Sequence, residues 1–331
     1  MKPEELSVPI SIRLNAGLLS ALTDAAGQPV PESEISRAAG LSGLRLEREA
    51  DRLRMLGYRI EKSRAGLRLA ASPDLLYPDE VRHRLDTRII GREVVVYRKV
   101  GSTNDVAWQL AADGAEEGLV VLAEEQTSAR GRMGRKWFSP IGGLWMSIVL
   151  CPDPPAGHAT VITLAAAVAI ARAVRSTGCN ATIRWPNDVL IDGRKVAGLM
   201  IETRSAKLLQ GVFILGIGVD VNCDDFPEEL HGIATALCRH AAMEIRRVDV
   251  ARSILRAFDE LYGQILQGND TSIGEEWMAM SSTLGQRIAI IRNGRIYKGE
   301  VVDMDPSAGL MVRLDSGFVR SFKGEHVTVV K

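Results

Sequence analysis

The chain has 331 residues, 41 Lys plus Arg against 41 Asp plus Glu, and 46% hydrophobic residues. At roughly 100–200 residues per domain this length predicts two or three domains, with core enough to need no disulfide or metal staple. A net charge of zero excludes a uniformly basic nucleic-acid binder while leaving room for a local patch, and the apolar content excludes a disordered chain.

Ile12, Leu14, Leu18, Leu19 and Leu22 recur at helical spacing ahead of Gly27 and predict a first helix. Pro31, Glu32 and Glu34 before Gly40 punctuate a second. Ser42 is the expected N-cap of a third, which carries Leu46, Leu53 and Leu56 and closes at Gly57. Runs at 58–62 and 67–70, joined by Ser63-Arg64-Ala65-Gly66, predict a hairpin. Three short helices and a hairpin over 1–70 follow the pattern of a winged helix-turn-helix. The stretch 71–84, with two prolines, reads as a linker into a short helix.

Residues 85–283 then alternate strands and helices. Strands are predicted at 94–97, 119–122, 145–150, 182–185, 196–201 and 212–215, and helices at 159–176 and 249–266. Strands outnumber helices, which favours a mixed sheet with helices on one face over a doubly wound parallel sheet. From 284 to 331 come short β segments with turns at Asn293-Gly294, Ser307-Ala308-Gly309 and Asp315-Ser316-Gly317, the pattern of a small barrel. The fold class is α+β.

Cys151, Cys179, Cys223 and Cys238 form no CxxC pair, and the five His residues show no ligand spacing, so no metal site is predicted. Free thiols suit a reducing cytoplasm. The N-terminus has acids where a signal peptide needs cations. The longest apolar stretch, 159–171, is closed by Arg172 and falls short of the ~20 residues of a membrane span. A cytoplasmic protein with no membrane partner is expected.

The densest chemical signal is Gln126-Thr127-Ser128-Ala129-Arg130-Gly131-Arg132-Met133-Gly134-Arg135-Lys136-Trp137, with four cations and two glycines between predicted strands. Glycine permits close backbone approach, and Arg offers a forked donor to carboxylate or phosphate. No Gly-Lys-Ser/Thr follows, which excludes a Walker A loop. Arg184-Trp185-Pro186-Asn187-Asp188 presents polar groups at a strand end, and Gly193-Arg194-Lys195-Val196-Ala197-Gly198 returns a compact cation suited to phosphate. Gly216-Ile217-Gly218 follows an apolar strand, but Val221 stands where a dinucleotide fingerprint needs its third glycine. Ser102-Thr103-Asn104 precedes a helical run at 106–112, where hydroxyls cap the helix or meet a polar or anionic ligand. Taken singly, each segment is also what an ordinary turn, cap or solvated loop contains.

Their order in one chain resembles the biotin protein ligases, and specifically the bifunctional biotin ligase/biotin operon repressors; the resemblance spans essentially the whole chain. It implies a winged helix at 1–70, a linker at 71–84, a catalytic domain resembling class II synthetases at 85–283 and an SH3-like barrel at 284–331. It implies biotin and ATP as substrates, Mg²⁺ with the ATP, and a lysine of a biotin carboxyl carrier domain, such as that of acetyl-CoA carboxylase, as acceptor. Ser102, Thr103 and Gln126 would hold the biotin ureido head, with Arg130, Arg132, Gly198, Gly216 and Gly218 also against biotin. Lys195 and Arg132 would be catalytic, Lys195 meeting both the biotin carboxylate and the α-phosphate. Arg132, Arg135, Lys195 and Asp220 would take the nucleotide, and Asn187 and Asp188 complete the site without an assigned division of labour. Met133 stands where many relatives have Arg, and Asp220 where many have Asn.

The same resemblance implies a homodimer that binds operator DNA, with Arg45, Arg48 and Arg52 on the third helix as its contacts. Residues 1–80 hold eleven basic and twelve acidic residues, without the cationic excess that drives phosphate binding. Glu47, Glu49 and Asp51 interleave with those arginines, and Arg45–Glu49 is spaced to pair on the helix surface. Two other readings stay open: a transcription regulator that senses biotin or a related acyl ligand without catalysis, and a lipoate ligase. The loop cations and Lys195 favour chemistry over sensing; the Gly-Arg-rich loop and C-terminal barrel favour biotin over lipoate.

Overall fold

The computed structural model describes residues 8–10, 12, 14–152, 158–204, 209–292, 294–305, 309–322 and 328–330. The expected turn residues Asn293, Ser307 and Ala308 lie outside them.

The N-terminal module contains α1 (Ala16–Asp24), α2 (Glu32–Ala39), α3 (Leu44–Met55) and an antiparallel hairpin of β1 (Arg59–Ser63) and β2 (Gly66–Ala71). Apolar spacing alone would start α1 at Ile12. Instead Asn15 caps it, its side chain accepting from the Leu18 amide at 2.8 Å, so Ile12 and Leu14 precede the helix. Leu14 is nevertheless buried with Leu18, Leu22, Ile35, Leu46 and Leu53. Ser42 is not the cap of α3; Gly43 takes that position at φ 51°, where a side chain would be strained, and no side-chain cap forms. Gly40 ends α2 in the left-handed region, as its place after the helix predicted.

The stretch after β2 is packed rather than loose. It includes α4 (Pro78–Arg82), and Leu76, Val81 and Leu85 are buried in the main core. Its Asp74 reaches α7 (Arg247–Leu266).

The central sheet has seven strands in the order β3 (Val94–Val100), β4 (Val120–Gln126), β5 (Leu144–Leu150), β9 (Phe213–Val219), β8 (Arg194–Thr203), β7 (Asp188–Ile191), β6 (Ala181–Arg184). Only β3 and β4 are parallel; the sheet is mixed, as expected. Strand side chains alternate faces, and here the two faces meet different helices. Val120 and Leu122 join the core of α6 (His158–Ser176), α7 and α8 (Thr271–Met280), whereas Val121 and Ala123 pack with Val106 and Trp108 of α5 (Thr103–Ala112). Helices therefore cover both faces, not one. That double cover is why β5 and β9 are buried along their full length and read as near-continuous apolar runs, with Ser147 the one hydroxyl in β5.

α6 covers the helix expected at 159–176; Arg172, which closes its longest apolar stretch, faces outward to Glu276 while Ala173 and Val174 return to the core. By length and composition 159–176 would cross a bilayer; here it packs against α7 and α8. The C-terminal strands β10 (Arg287–Arg292), β11 (Arg295–Asp305), β12 (Gly309–Leu314), β13 (Val319–Phe322) and β14 (Thr328–Val330) form one antiparallel sheet. Its Ile290, Val312 and Phe322 continue the main core.

Candidate active site

A cleft of about 660 Å³ opens where the start of α5, the end of β4, the following loop and the facing parts of β9 and β8 converge. Ser102, Thr103, Gln126, Arg130, Arg132, Arg135, Asn187, Asp188, Lys195, Gly198, Gly216, Gly218 and Asp220 all line it. Residues spread over more than a hundred positions of sequence are thus gathered in one place.

The first turn of α5 supplies a polar wall. Thr103 donates to Gln126 Oε1 from its amide at 2.8 Å and its hydroxyl at 3.1 Å, and Gln126 Nε2 donates to Ser139 Oγ at 3.1 Å. These partners orient the Gln126 amide. Ser102 sits at the N-cap without a capping side-chain bond. Sequence reasoning missed Ser147, whose hydroxyl lies 2.7 Å from Thr103 Oγ1 and 2.6 Å from Asn104 Oδ1. Its alternate position inside an apolar strand was the available signal. Gly216 is small for a packing reason: a Cβ there would approach Asn104 Oδ1 to 2.4 Å.

The Arg-rich loop is anchored more firmly than its composition suggested. Arg130 makes two forked ion pairs, to Asp105 of α5 (2.9 and 2.7 Å) and to Glu202 of β8 (2.8 and 3.0 Å). Trp108 Nε1 also donates to Glu202, at 2.9 Å. Burial would raise the Glu202 pKa, but these donors reverse that and hold it below the usual carboxylate range. The same pairing raises Arg130 further. Its guanidinium is thereby held between two protein carboxylates at the cleft wall. Arg132 reaches Asn187 Oδ1 at 3.2 Å. The loop tip, Met133, adopts φ 58° and is exposed.

Lys195 is the second residue of β8, beside a bulge where Leu190 pairs with Lys195 but Val189 pairs with Ala197. A bulge re-aims the neighbouring side chain. The ammonium lies 2.5 Å from Asp188 Oδ1 and 4.8 Å from the centre of the Trp137 ring. Arg184 holds the other Asp188 oxygen at 2.7 Å. Burial opposes ionisation of Asp188, yet the Lys195 and Arg184 charges keep its pKa lowered. Gly198 and Gly218 clear this space: a Cβ at Gly198 would meet the Lys195 side chain at 2.8 Å, and one at Gly218 the Trp137 indole at 2.6 Å.

Asp220 is buried at the cleft wall, 3.6 Å from the Cys223 thiol. Desolvation pushes its pKa up to about 8. It also pushes the Cys223 thiol up, with Asp220 adding to the shift.

Arg45, Arg48 and Arg52 lie apart from the cleft, on the exposed side of α3. The Arg45–Glu49 pair does not form; Glu49 turns to Arg52 at 3.2 Å, one turn closer to the helix end. Arg45 and Arg48 have no ion pair among the described residues.

The profile of the biotin/lipoate A/B protein ligase family matches residues 96–222, the part of the chain that builds most of the cleft. The bifunctional ligase/repressor BirA of Bacillus subtilis is 33% identical over 94% of this chain and 98% of its own. The biotin–[acetyl-CoA-carboxylase] ligase of Mycobacterium tuberculosis is 31% identical over 72% of this chain and 91% of its own. In fold, the chain resembles the biotin protein ligase from Aquifex aeolicus in complex with biotin and ATP, with a TM-score of 0.65 over 72% of this chain and 99% of that one, at 23% identity. Sheet, cleft and profile define the class, the biotin/lipoate protein ligases. Matched along nearly its whole length by a bifunctional ligase/repressor, the chain belongs to the biotin protein ligase family.

Proposed function

We propose that the chain is an ATP-dependent biotin protein ligase that also acts as a repressor of biotin genes. A biotin carboxylate oxygen attacks the α-phosphorus of ATP and pyrophosphate leaves, giving biotinyl-5′-AMP. A carrier lysine amine then attacks the anhydride carbonyl and AMP leaves. The acceptor is a biotin carboxyl carrier domain, as the name of the Mycobacterium tuberculosis relative suggests.

The observation that carries this reading is the cleft itself: the Thr103–Gln126 wall at one end and the Lys195 ammonium at the other, over the same face of the sheet. The wall suits a neutral polar head such as the biotin ureido group. Lys195 and Arg132 suit the meeting point of a carboxylate and a phosphate, where fixed cations stabilise the charge that develops. Arg135 and Asp220 are assigned to the nucleotide. Arg130 orients the loop through Asp105 and Glu202, with its backbone rather than its guanidinium offered to biotin. Among the described residues no three His, Cys, Asp or Glu side chains converge on a metal position, so Mg²⁺ is taken as part of the ATP substrate. Biotin-dependent exchange of labelled pyrophosphate into ATP tests the reading; folded protein without exchange leaves only a ligand sensor.

For regulation, the N-terminal module is read as a winged helix-turn-helix and the C-terminal sheet as an SH3-like barrel, with a homodimer placing two α3 helices on operator DNA. Arg45 and Arg48, exposed and without an ion pair among the described residues, support this reading. A gel shift on a biotin-gene promoter, with and without biotin and ATP, decides it: an adenylate-dependent shift is expected, and its absence at low salt refutes the repressor role.

A further inference from the structure

Behind Lys195 lies a chain of contacts that touches none of the cleft-facing charges. The β7–β8 connection is a two-residue turn, Asp192-Gly193, with φ of 49° and 75°. Positive φ at both positions is the hallmark of the tight hairpin turns that match strand twist. Two residues on, Lys195 stays opposite Leu190 in the ladder, while its amide and carbonyl point away from β7 to a different segment. Its amide donates to Ile233 O at 2.8 Å, and its carbonyl accepts from the Thr235 amide at 2.8 Å. Thr235 is fully buried, and its hydroxyl lies 2.8 Å from His240 Nε2. The other ring nitrogen, Nδ1, faces Asp192 Oδ2 at 3.4 Å.

The tautomer follows from the partners. A carboxylate only accepts, so in the neutral ring a proton on Nδ1 faces Asp192 and Nε2 is left to accept from the Thr235 hydroxyl. The imidazole thus ties the turn before Lys195 to the segment that holds the Lys195 peptide on both sides. Loss of the ring would free Asp192, which is exposed, and leave a buried hydroxyl without its partner.

We propose that His240, with Asp192 and Thr235, is a positioning residue for the adenylation step: it sets the backbone of Lys195 and so the aim of its ammonium. The inference rests on the assignment of Lys195 to the reacting groups. It concerns rate rather than affinity, because the three side chains hold the lysine and do not face the cleft. A misplacement of about 1 Å of a catalytic group lowers rates by up to ~10²-fold.

The test is biotin-dependent pyrophosphate exchange by the full chain, with kcat and both KM values measured alongside thermal unfolding, for His240→Ala, His240→Gln, Thr235→Val and Lys195→Ala. Glutamine offers one acceptor and one donor, as the neutral ring does. His240→Ala and Thr235→Val are expected to lower kcat about tenfold or more with KM values within about threefold, and His240→Gln to recover most of the loss. A kcat within twofold of the parent for His240→Ala, equal impairment of the Ala and Gln variants, or a loss expressed in KM alone overturns the proposal. Should His240→Ala fail to fold, His240→Gln and Thr235→Val decide by the same criteria. Lys195→Ala separates the two levels. If it exchanges normally, the Lys195 assignment falls and takes this inference with it. If it is inactive while the His240 and Thr235 variants match the parent, only the positioning role falls.

Discussion

Lys195 brings one positive charge to the cleft proposed to hold biotin and ATP, both anionic, and it does so from a bulged strand. Removing it leaves Asp188 still paired with Arg184, so the fold keeps its local charge balance. Lys195→Ala should lower pyrophosphate exchange by about 10²–10³-fold while stability changes by less than ~1 kcal/mol. Parallel exchange assays and thermal melts check this, and an equally severe loss of stability would make the residue structural. Asp220 presents the opposite case, a carboxyl that burial keeps protonated up to about pH 8. Its folded-state pKa lies above the unfolded value, so the native state binds a proton that the unfolded chain has released. Stability from this group is therefore complete below about pH 4 and is lost as pH rises through about 8. Asp220→Asn lacks that dependence. Between pH 5 and 8.5 the melting temperature of the parent should fall relative to the variant; parallel curves would contradict the assignment.

At the scale of elements, the Arg-rich loop divides into two halves. The two forked pairs of Arg130 bind its first half to α5 and β8, whereas the Gly-bearing tip at 132–135 carries no such clamp to them among the described residues. Trp137, whose amide donates to Ala129 O, closes its base. Hydrogen exchange in the ligand-free protein should protect 127–131 more than 132–135, and Glu202→Gln should narrow the difference while the Asp105 pair remains. Uniform exchange across the loop would show that the clamp does not act. α1 offers a simpler test. Asn15 satisfies one of the orphan amides of the first turn, so Asn15→Ala should cost about 1 kcal/mol in denaturant unfolding and Asn15→Asp close to nothing.

Across the whole molecule, one buried cation joins parts that sequence reading keeps apart. Arg247, at the start of α7, is 1% exposed. It donates to Asp74 of the segment after the N-terminal module at 2.9 Å, to Glu124 of β4 at 2.6 Å and to Gly143 O at 3.0 Å. Glu124 also accepts from the Leu76 amide at 2.8 Å. The proline-bearing stretch read as a linker is thus stapled to the body two residues before Gln126 on β4. Arg247→Ala strands the Glu124 carboxylate in the core and should cost about 3–5 kcal/mol. Adding Glu124→Gln should return part of that loss, because a neutral amide needs no counter-charge. Chemical denaturation of the single and double variants measures both; additive losses would contradict a direct pair.

The amino-acid sequence by itself determined the family, the cleft residues and most strands. Glycines, arginines and Lys195 are constrained by local chemistry, and long apolar runs such as 145–150 advertise a buried strand whatever surrounds them. Four-residue β7, which opens on Asp188, is too short to show a period, and α8 escaped for want of a clear stop and start. What only the tertiary structure decided is partnership. Asp105 and Glu202 lie 97 positions apart yet share Arg130, and His240 reaches Asp192 across 48. An ion pair or a hydrogen bond acts over a few ångströms of space and is indifferent to distance along the chain. Sequence spacing therefore reveals which groups are available, and the packed sheet decides which of them meet.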